Sequence, residues 1–396
     1  MPVKNKIKKK VVKSKIISTA RKSVKLPGKV KRKNIKKRLQ AKKVFQREQK
    51  KKSVELERIS SNPIIEPRPY TWESKATFNP SAFLGTGKVH LIYRAIGEDD
   101  SSVLGYAGST DGYNIDERPT YAVYRRYNDF SRIMDENVMP IDYVSGGGWN
   151  GGCEDPRLTR IGSMVYMLYT AFDGWGSVRI SLTSIPLEDF EQKKWNWKNP
   201  VLISPPNEIH KNWVMFPEKI YPAQGGAGGK FAILHSLSPR ILIDYFSSLD
   251  ELDGKKFIHS VHQGSREWQL REKGMRGVGP APIKTELGWL VLYHRIEEHD
   301  PNRYKIFAMV LDLENPAKIL YRSESPILEP EEYYENNGYK WGVVYSCGAV
   351  VKSGVLFVYY GGADRVVGVA SLRLADLLSD LKKHKVAKFK KHFSKI

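Results

Sequence analysis

Short runs of alternating apolar and polar residues recur along the chain, and turn residues separate them. The run VHLIYRA at 89–95 has counterparts at 165–171, 231–236, 289–295 and 355–361. Alternation with a period of two is typical of β-strands. A second strand follows most copies and a short turn-rich element precedes each, so the unit repeats about every 65 residues.

Five copies of one strand-rich unit predict an all-β fold, a five-bladed β-propeller. Blades stack around one axis, so equivalent positions of all repeats should meet at the mouth of a central channel. A two-domain β-sandwich is the structural alternative. The segment 372–383 alone has a clear helical period, and it predicts a short C-terminal helix outside the last blade.

Positive charge is concentrated at the two ends of the chain. Residues 1–55 hold 23 of the 65 Lys and Arg against two acidic residues, and 381–396 add seven lysines. The remainder is mildly acidic, with 35 basic and 41 acidic residues. We therefore predict a basic, disordered tail over 1–58, a propeller domain over 59–380 and a basic C-terminal tail over 381–396.

The tail composition suggests a polyanion as a partner, either nucleic acid or an anionic membrane surface. A solvated extension without a specific role is the alternative. The two cysteines are too few for a disulfide framework, which predicts free thiols. No segment has the length of a membrane span or the pattern of a signal peptide, so we expect a cytoplasmic protein, and an oligomer is compatible with the sequence.

The segment GCEDPRL at 152–158 is the strongest local candidate for chemistry. Adjacent side chains of a strand face opposite ways, so only one of Glu154 and Asp155 can face a channel. Taken alone, the segment fits a structural turn with a salt-bridged Arg157 as well as it fits an active site.

Polar side chains at the ends of the other repeats favour the active site. One carboxylic acid facing several cations suits glycosyl transfer to an anionic acceptor, because the acid protonates the leaving oxygen while the cations hold the anion. Nucleotide-binding, nucleophile-elbow and zinc motifs are absent from the sequence, so we predict neither a metal nor a cofactor. The polar ends are Lys211, His235, Tyr293, His294, Arg295, Tyr360 and Asp364.

Eight short motifs in a fixed order resemble glycoside hydrolase family 130, the β-mannoside phosphorylases and related β-mannosidases. The resemblance covers about residues 65–380 and implies a five-bladed β-propeller. The motifs are Asn79-Pro80, LIYRA at 91–95, EDPR at 154–157, Phe216-Pro217, GWL at 288–290, Tyr293-His294, PILEP at 326–330 and YYGGAD at 359–364.

The resemblance implies inverting cleavage of a β-mannosidic bond, with Asp155 as the general acid acting through the 3-hydroxyl of the mannosyl unit. Inorganic phosphate would be the co-substrate, and α-mannose 1-phosphate the product. The implied substrate-binding residues are Asn79, Arg94, Glu154, Arg157, Tyr360 and Asp364. The implied residues on the phosphate side are Lys211, His235, Tyr293, His294 and Arg295.

The chain departs from the family pattern at the predicted phosphate side. Phosphorylases often carry His-Arg-Pro where this chain has HSL at 235–237, and Arg179, Arg240 and Arg295 are the candidates to replace the missing arginine. Two alternatives to a phosphorylase therefore stay open. One is an inverting hydrolase with a second carboxylate about 6.5–9.5 Å from Asp155, and the other is a glycan-binding propeller without catalysis.

Overall fold

The computed structural model describes residues 54–126, 147–173, 177–221 and 228–384. Residues 1–53 and 385–396 lie outside the described residues, so the contact of the basic tails with a polyanion stays a prediction. The last residues of segment 1–58 belong to the fold, because Leu56 is buried and Glu57 and Arg58 pair with a strand near the C-terminus.

Most of the regular secondary structure among the described residues is β-strand, as the alternating pattern predicted. The strands of the first half are β1 Glu57–Arg58, β2 Ala76–Leu84, β3 Val89–Ile96, β4 Ser102–Ser109, β5 Gly152–Ile161, β6 Met164–Phe172, β7 Val178–Pro186, β8 Val201–Leu202 and β9 Val214–Met215. The others are β10 Phe231–Ser236, β11 Leu242–Phe246, β12 Met275–Val278, β13 Ile283–Thr285, β14 Gly288–Glu297, β15 Asp300–Leu311, β16 Ile319–Arg322, β17 Val344–Lys352, β18 Val355–Gly362 and β19 Val366–Arg373.

Helices are few and short in the part of the chain that the structure describes. They are α1 Leu187–Glu191, α2 Arg266–Gln269, α3 Tyr333–Asn336 and α4 Leu374–Leu381, with one 3-10 turn at Leu249–Glu251. The predicted C-terminal helix is confirmed as α4, which buries Leu377, Leu378 and Leu381. Within the described ranges, no helix is long and apolar enough to cross a membrane.

Hydrogen bonds between the described strands define four sheets. Their strand orders are β1-β19-β18-β17, β11-β10-β9, β12-β14-β15-β16 and β2 to β8 in sequence, and β13 also pairs with β14. Neighbouring strands are antiparallel, except that β4 and β5 meet in a single parallel pair, Ser102 with Gly152. That pair divides the largest sheet, so the strands fall into five antiparallel groups in chain order. The all-β class is confirmed, whereas the five-bladed propeller stays a prediction.

Apolar side chains pack where neighbouring groups meet, because the central strands are buried on both faces. Leu91 and Tyr93 of β3 share one core cluster with Tyr359 of β18 and Val369 of β19. The first and last strand groups are therefore in contact. The two cysteines, Cys153 and Cys347, are buried free thiols, as predicted.

Candidate active site

Four polar residues that line one cavity have a left-handed backbone, among them Asn212 with φ of 66°. Asn79 lies at a break in the β2–β3 register and Asp155 at a break in the β5–β6 register, with φ of 46° and 48°. Asp364 follows β18 with φ of 53°. Bulges re-aim side chains, and backbone strain of this kind concentrates at functional sites.

A glycine of the YYGGAD motif allows these elements to approach one another. A Cβ atom at Gly361 would lie 2.3 Å from Asn79 Oδ1, so a larger residue would push β18 away from β2. Asn79 Oδ1 is buried and has no hydrogen-bond partner among the described residues. An acceptor in this state is available to a hydroxyl group of a ligand.

Asp155 faces the cavity while Glu154 is buried behind it. Asp155 Oδ1 accepts a hydrogen bond from Asn79 Nδ2 at 2.7 Å and one from Arg94 Nη1 at 3.4 Å. Arg94 Nη2 donates to Glu154 Oε1 at 2.8 Å and to the carbonyl of Gly147 at 2.9 Å. Glu154 thus neutralises the buried Arg94, which in turn orients Asp155. The expectation that only one of the two carboxylates faces the channel agrees with this geometry.

The second carboxyl group of the cavity, Asp364, has a perturbed pKa. Burial is the main cause that raises the pKa of Asp364 to about 6; the negative charge of Asp155 adds to the increase, while Lys340 and Arg94 oppose it. Asp364 therefore changes its charge close to neutral pH.

Four cationic side chains line the same cavity as these two carboxyl groups. The cavity has a volume of about 60 Å³. Its lining residues come from the two strand groups that carry Asp155 and Asp364 and from the three other strand groups. Several cations around one small polar volume form a site for an anion. The lining residues are Asn79, Arg94, Asp155, Lys211, Asn212, Arg276, Tyr304, Lys340, Val343, Tyr345 and Asp364.

Arg157 lies beneath this cavity and does not line it. Its Nη1 atom donates to the carbonyl groups of Val278 and Gly279, and its Nη2 atom donates to Asn212 Oδ1 at 2.9 Å and to Tyr345 Oη at 3.1 Å. The prediction that Arg157 contacts the substrate is corrected to a positioning role. Its fork-shaped guanidinium fixes Asn212 and Tyr345, which do line the cavity.

His294 is likewise a supporting residue. Its ring stacks on Tyr345 with centroids 4.0 Å apart, and its Nε2 atom accepts a hydrogen bond from the backbone N–H of Ser346 at 2.9 Å. Burial lowers the pKa of His294, and nearby Arg157 lowers it further. The ring is therefore neutral and buried, which corrects its predicted contact with phosphate.

Three other predicted site residues do not line this cavity. Tyr360 Oη donates to Glu335 Oε1 at 2.8 Å, and Tyr293 Oη accepts from Arg322 Nε at 2.7 Å. Both tyrosine rings are core residues. Arg295 lies 3.6 Å from Glu272 in an ion pair. Each side chain contacts another charged residue of the protein, which corrects the prediction that Tyr360 binds the substrate and that Tyr293 and Arg295 bind phosphate.

A second cavity, about 390 Å³ in volume, adjoins the first. The two share Lys211, Asn212, Arg276, Tyr304 and Lys340. His235, a predicted phosphate-side residue, lines the larger cavity together with Ser236.

Arg276 and Lys340 are the cations that the sequence reasoning missed. Arg276 is in β12 and Lys340 in the loop before β17, and neither belongs to a repeat-equivalent strand end. The proposed replacements lie elsewhere: Arg179 donates to the carbonyl of Ser204, and Arg240 pairs with Glu267. No spacing in the sequence indicated Arg276 or Lys340.

Comparison with known proteins places the chain in a family. The family model described as beta-1,4-mannooligosaccharide phosphorylase matches residues 29–383. A 1,2-beta-oligomannan phosphorylase from Thermoanaerobacter sp. (strain X514) is 37% identical over 82% of this chain and 99% of its own length. A beta-1,2-mannobiose phosphorylase from the same organism is 34% identical over 80% of this chain and 96% of its own length.

Solved structures agree on the fold. A beta-1,2-mannobiose phosphorylase from Listeria innocua aligns with a TM-score of 0.59 and 24% identity, over 83% of this chain and 99% of that one. A glycosyl hydrolase from Bacteroides ovatus aligns with a TM-score of 0.61 and 23% identity, over 82% of this chain and 94% of that one. The prediction of an enzyme of the glycoside phosphorylase class is confirmed by the phosphorylase relatives. The chain belongs to glycoside hydrolase family 130.

Proposed function

We propose that this enzyme cleaves β-1,2-linked mannooligosaccharides by inverting phosphorolysis and releases α-mannose 1-phosphate. The observation that carries the proposal is the set of four cations, Arg94, Lys211, Arg276 and Lys340, around the cavity that Asp155 enters. The β-1,2 linkage is supported by the names of the relatives that are 30–37% identical to this chain.

Asp155 is the proposed general acid. Its carboxyl group faces the cavity and is held by Asn79 and Arg94, so that it is fixed in direction but still reaches a ligand. In the reaction, a proton from Asp155 passes through the 3-hydroxyl of the mannosyl unit to the leaving glycosidic oxygen. A phosphate oxygen forms the new bond to the anomeric carbon as the old bond breaks, which inverts its configuration.

The mannosyl unit is proposed to bind between Asn79, Arg94 and Asp364. The buried, unpartnered Asn79 Oδ1 can accept a hydrogen bond from a sugar hydroxyl, and Asp364 offers a second acceptor when it is ionised. Glu154 supports this subsite indirectly through its ion pair with Arg94.

Phosphate is proposed to bind to Lys211, Arg276 and Lys340, at the junction of the two cavities. Arg276 takes the place of the arginine that the family pattern has after His235. Its Nε atom is buried without a hydrogen-bond partner among the described residues, and its guanidinium lies over the ring of Tyr304 at 5.7 Å. A planar guanidinium held in this way can bind an oxyanion without further ordering.

Hydrolysis on the same scaffold needs a second carboxylate that activates water. Glu154 is engaged by Arg94, which leaves Asp364 as the other carboxyl group at the cavity among the described residues. The surrounding cations favour an anionic nucleophile over water, because they stabilise bound phosphate.

Initial rates at varied phosphate concentration test the cation set. Loss of a hydrogen bond to a charged group costs about 1.5–3 kcal/mol, so Arg276→Ala should raise the KM for phosphate about tenfold or more. Arg240→Ala is the matched control, because Arg240 pairs with Glu267 at the surface. An unchanged KM for phosphate in Arg276→Ala would overturn this assignment.

The five antiparallel strand groups are proposed to be the five blades of a propeller. This arrangement is supported by the contact between the first and last groups and by the junction of β1 with β19. It also explains why residues from five groups line one small cavity. A glycan-binding protein without catalysis is the less favoured function, since binding alone does not need a carboxyl group placed opposite an anion site.

A further inference from the structure

The N-terminal strand β1 ends in an arginine whose side chain reaches into the last strand group. The backbone of Arg58 pairs with Ala370 of β19. Its guanidinium donates two parallel hydrogen bonds to Glu335 of α3, from Nε to Oε1 and from Nη2 to Oε2, both at 2.8 Å. A further bond joins Nη1 to the exposed carboxylate of Glu331 at 2.9 Å. A bidentate pair of this kind fixes the relative geometry of its two partners.

Glu335 is the centre of this contact, and its side chain is completely buried. Its Oε2 atom accepts hydrogen bonds from the backbone N–H groups of Glu331 and Glu332, and its Oε1 atom accepts one from the hydroxyl of Tyr360 at 2.8 Å. Together with the fork of Arg58, these donors hold the carboxylate in one position. The arginine is also the cation that offsets the buried negative charge.

The backbone of Glu335 holds a loop that carries one of the cavity cations. Its carbonyl oxygen accepts a hydrogen bond from the N–H of Val343 at 3.1 Å, which closes the base of the loop 337–342. Lys340 of this loop and Val343 both line the cavity that contains Asp155. The position of Glu335 therefore sets where the loop meets the cavity.

The other side of the loop is bonded to the segment that precedes Asp364. The N–H of Lys340 donates to the carbonyl of Ala363 at 3.1 Å, and the N–H of Ala363 donates to the carbonyl of Val343 at 3.0 Å. The ammonium group of Lys340 lies over the ring of Tyr304 at 4.3 Å. Because a lysine side chain is long and flexible, the backbone of its loop decides which volume its charge can reach.

We propose that Arg58 and Glu335 are positioning residues for phosphate, which act by holding the loop of Lys340 at the cavity. Neither of the two lines the cavity itself. The N-terminal strand β1 is therefore part of the architecture of the active site, although its sequence suggested the end of a tail. The inference rests on the proposed function, which assigns Lys340 to phosphate.

A purely structural ion pair is the competing interpretation, and kinetics distinguish the two. Loss of a structural pair lowers the fraction of folded enzyme, which reduces the maximal rate and leaves the KM for phosphate unchanged. Loss of a positioning residue displaces Lys340 within the folded enzyme, which raises this KM. Arg68 provides a matched control, because it also comes from the N-terminal segment and pairs with a fully buried carboxylate, that of Glu73. Neither Arg68 nor Glu73 lines the cavity.

Initial rates at varied phosphate and saturating β-1,2-mannobiose test the inference. Arg58→Met should raise the KM for phosphate about three- to tenfold, as expected for residues coupled through one network, and should change kcat less. Arg68→Met should leave the KM for phosphate unchanged. Arg58→Lys keeps a cation beside Glu335 but loses the fork, so it should give an intermediate KM even if Arg58→Met does not fold.

A double-mutant cycle tests whether Arg58 acts through Lys340. In the Lys340→Ala background, Arg58→Met should not raise the KM for phosphate further, because the cation that it positions is absent. A further increase of the same size in this background would overturn the inference, as would a wild-type KM for phosphate in the folded Arg58 variants. Absence of mannose 1-phosphate formation by the wild type would instead refute the proposed function.

Discussion

Replacement of Asp364 by asparagine should stabilise the ligand-free enzyme while it removes activity. The carboxyl group is 6% exposed, and burial raises its pKa from 3.8 to about 6. Such a shift means that ionising Asp364 in the folded protein costs about 3 kcal/mol more than in the unfolded chain. Asparagine has the same shape and carries no charge, so it avoids this cost.

The sign of the pH dependence follows from the raised pKa. Between about pH 4 and pH 6 the folded protein holds a proton on Asp364 that the unfolded chain has lost, so the contribution of this group to stability decreases as the pH rises. The advantage of Asp364→Asn should therefore be small near pH 4 and grow to about 3 kcal/mol above pH 6.

Urea unfolding followed by tryptophan fluorescence at pH 4.5 and pH 7.5 measures this difference. Differences between variant and wild type cancel the titration of most other groups. Asp99→Asn is a control, because its exposed carboxylate should change stability by about 0.5 kcal/mol or less. A variant that is less stable than the wild type by the same amount at both pH values would refute the reasoning.

Three further substitutions test the roles assigned to buried and reacting groups. Asp155→Asn should lower turnover about 10²- to 10⁴-fold with an unchanged circular dichroism spectrum, and normal turnover would exclude it as the acid. Arg157→Met should lower the free energy of unfolding by about 3 kcal/mol, because the buried acceptors around Arg157 lose their hydrogen-bond donor. A large effect on KM with unchanged stability would instead indicate that Arg157 contacts the substrate. Arg58→Met should lower the free energy of unfolding, measured in urea, by about 3 kcal/mol, because it leaves the carboxylate of Glu335 buried without its cation. Arg373→Met, at the surface, is the control and should have little effect on this free energy.

The strand repeat and the opposite directions of Glu154 and Asp155 could be predicted because both depend on local patterns. Alternation marks each central strand, and the same period of two implies that Glu154 and Asp155 face opposite sides. The sequence could not indicate the bulges at Asn79 and Asp155, since a break in register depends on the partner strand.

The cations at the site were harder to predict because they come from separate strand groups and loops. Lys211 lies close to a motif and was found, but Arg276 and Lys340 have no motif and lie more than a hundred residues from Asp155 in the sequence. Conversely, Tyr293 and Tyr360 lie in motifs and are buried in the core. A motif marks a segment, and the direction of each side chain within it follows from packing.

The most direct test of phosphorolysis is the product formed from β-1,2-mannotriose in the presence and absence of inorganic phosphate. With the cations around Asp155 holding phosphate, we expect α-mannose 1-phosphate, identified by ³¹P and ¹H NMR, to form in equal amount with mannobiose, and turnover to stop when phosphate is left out. Free mannose released at the same rate with and without phosphate would contradict the account.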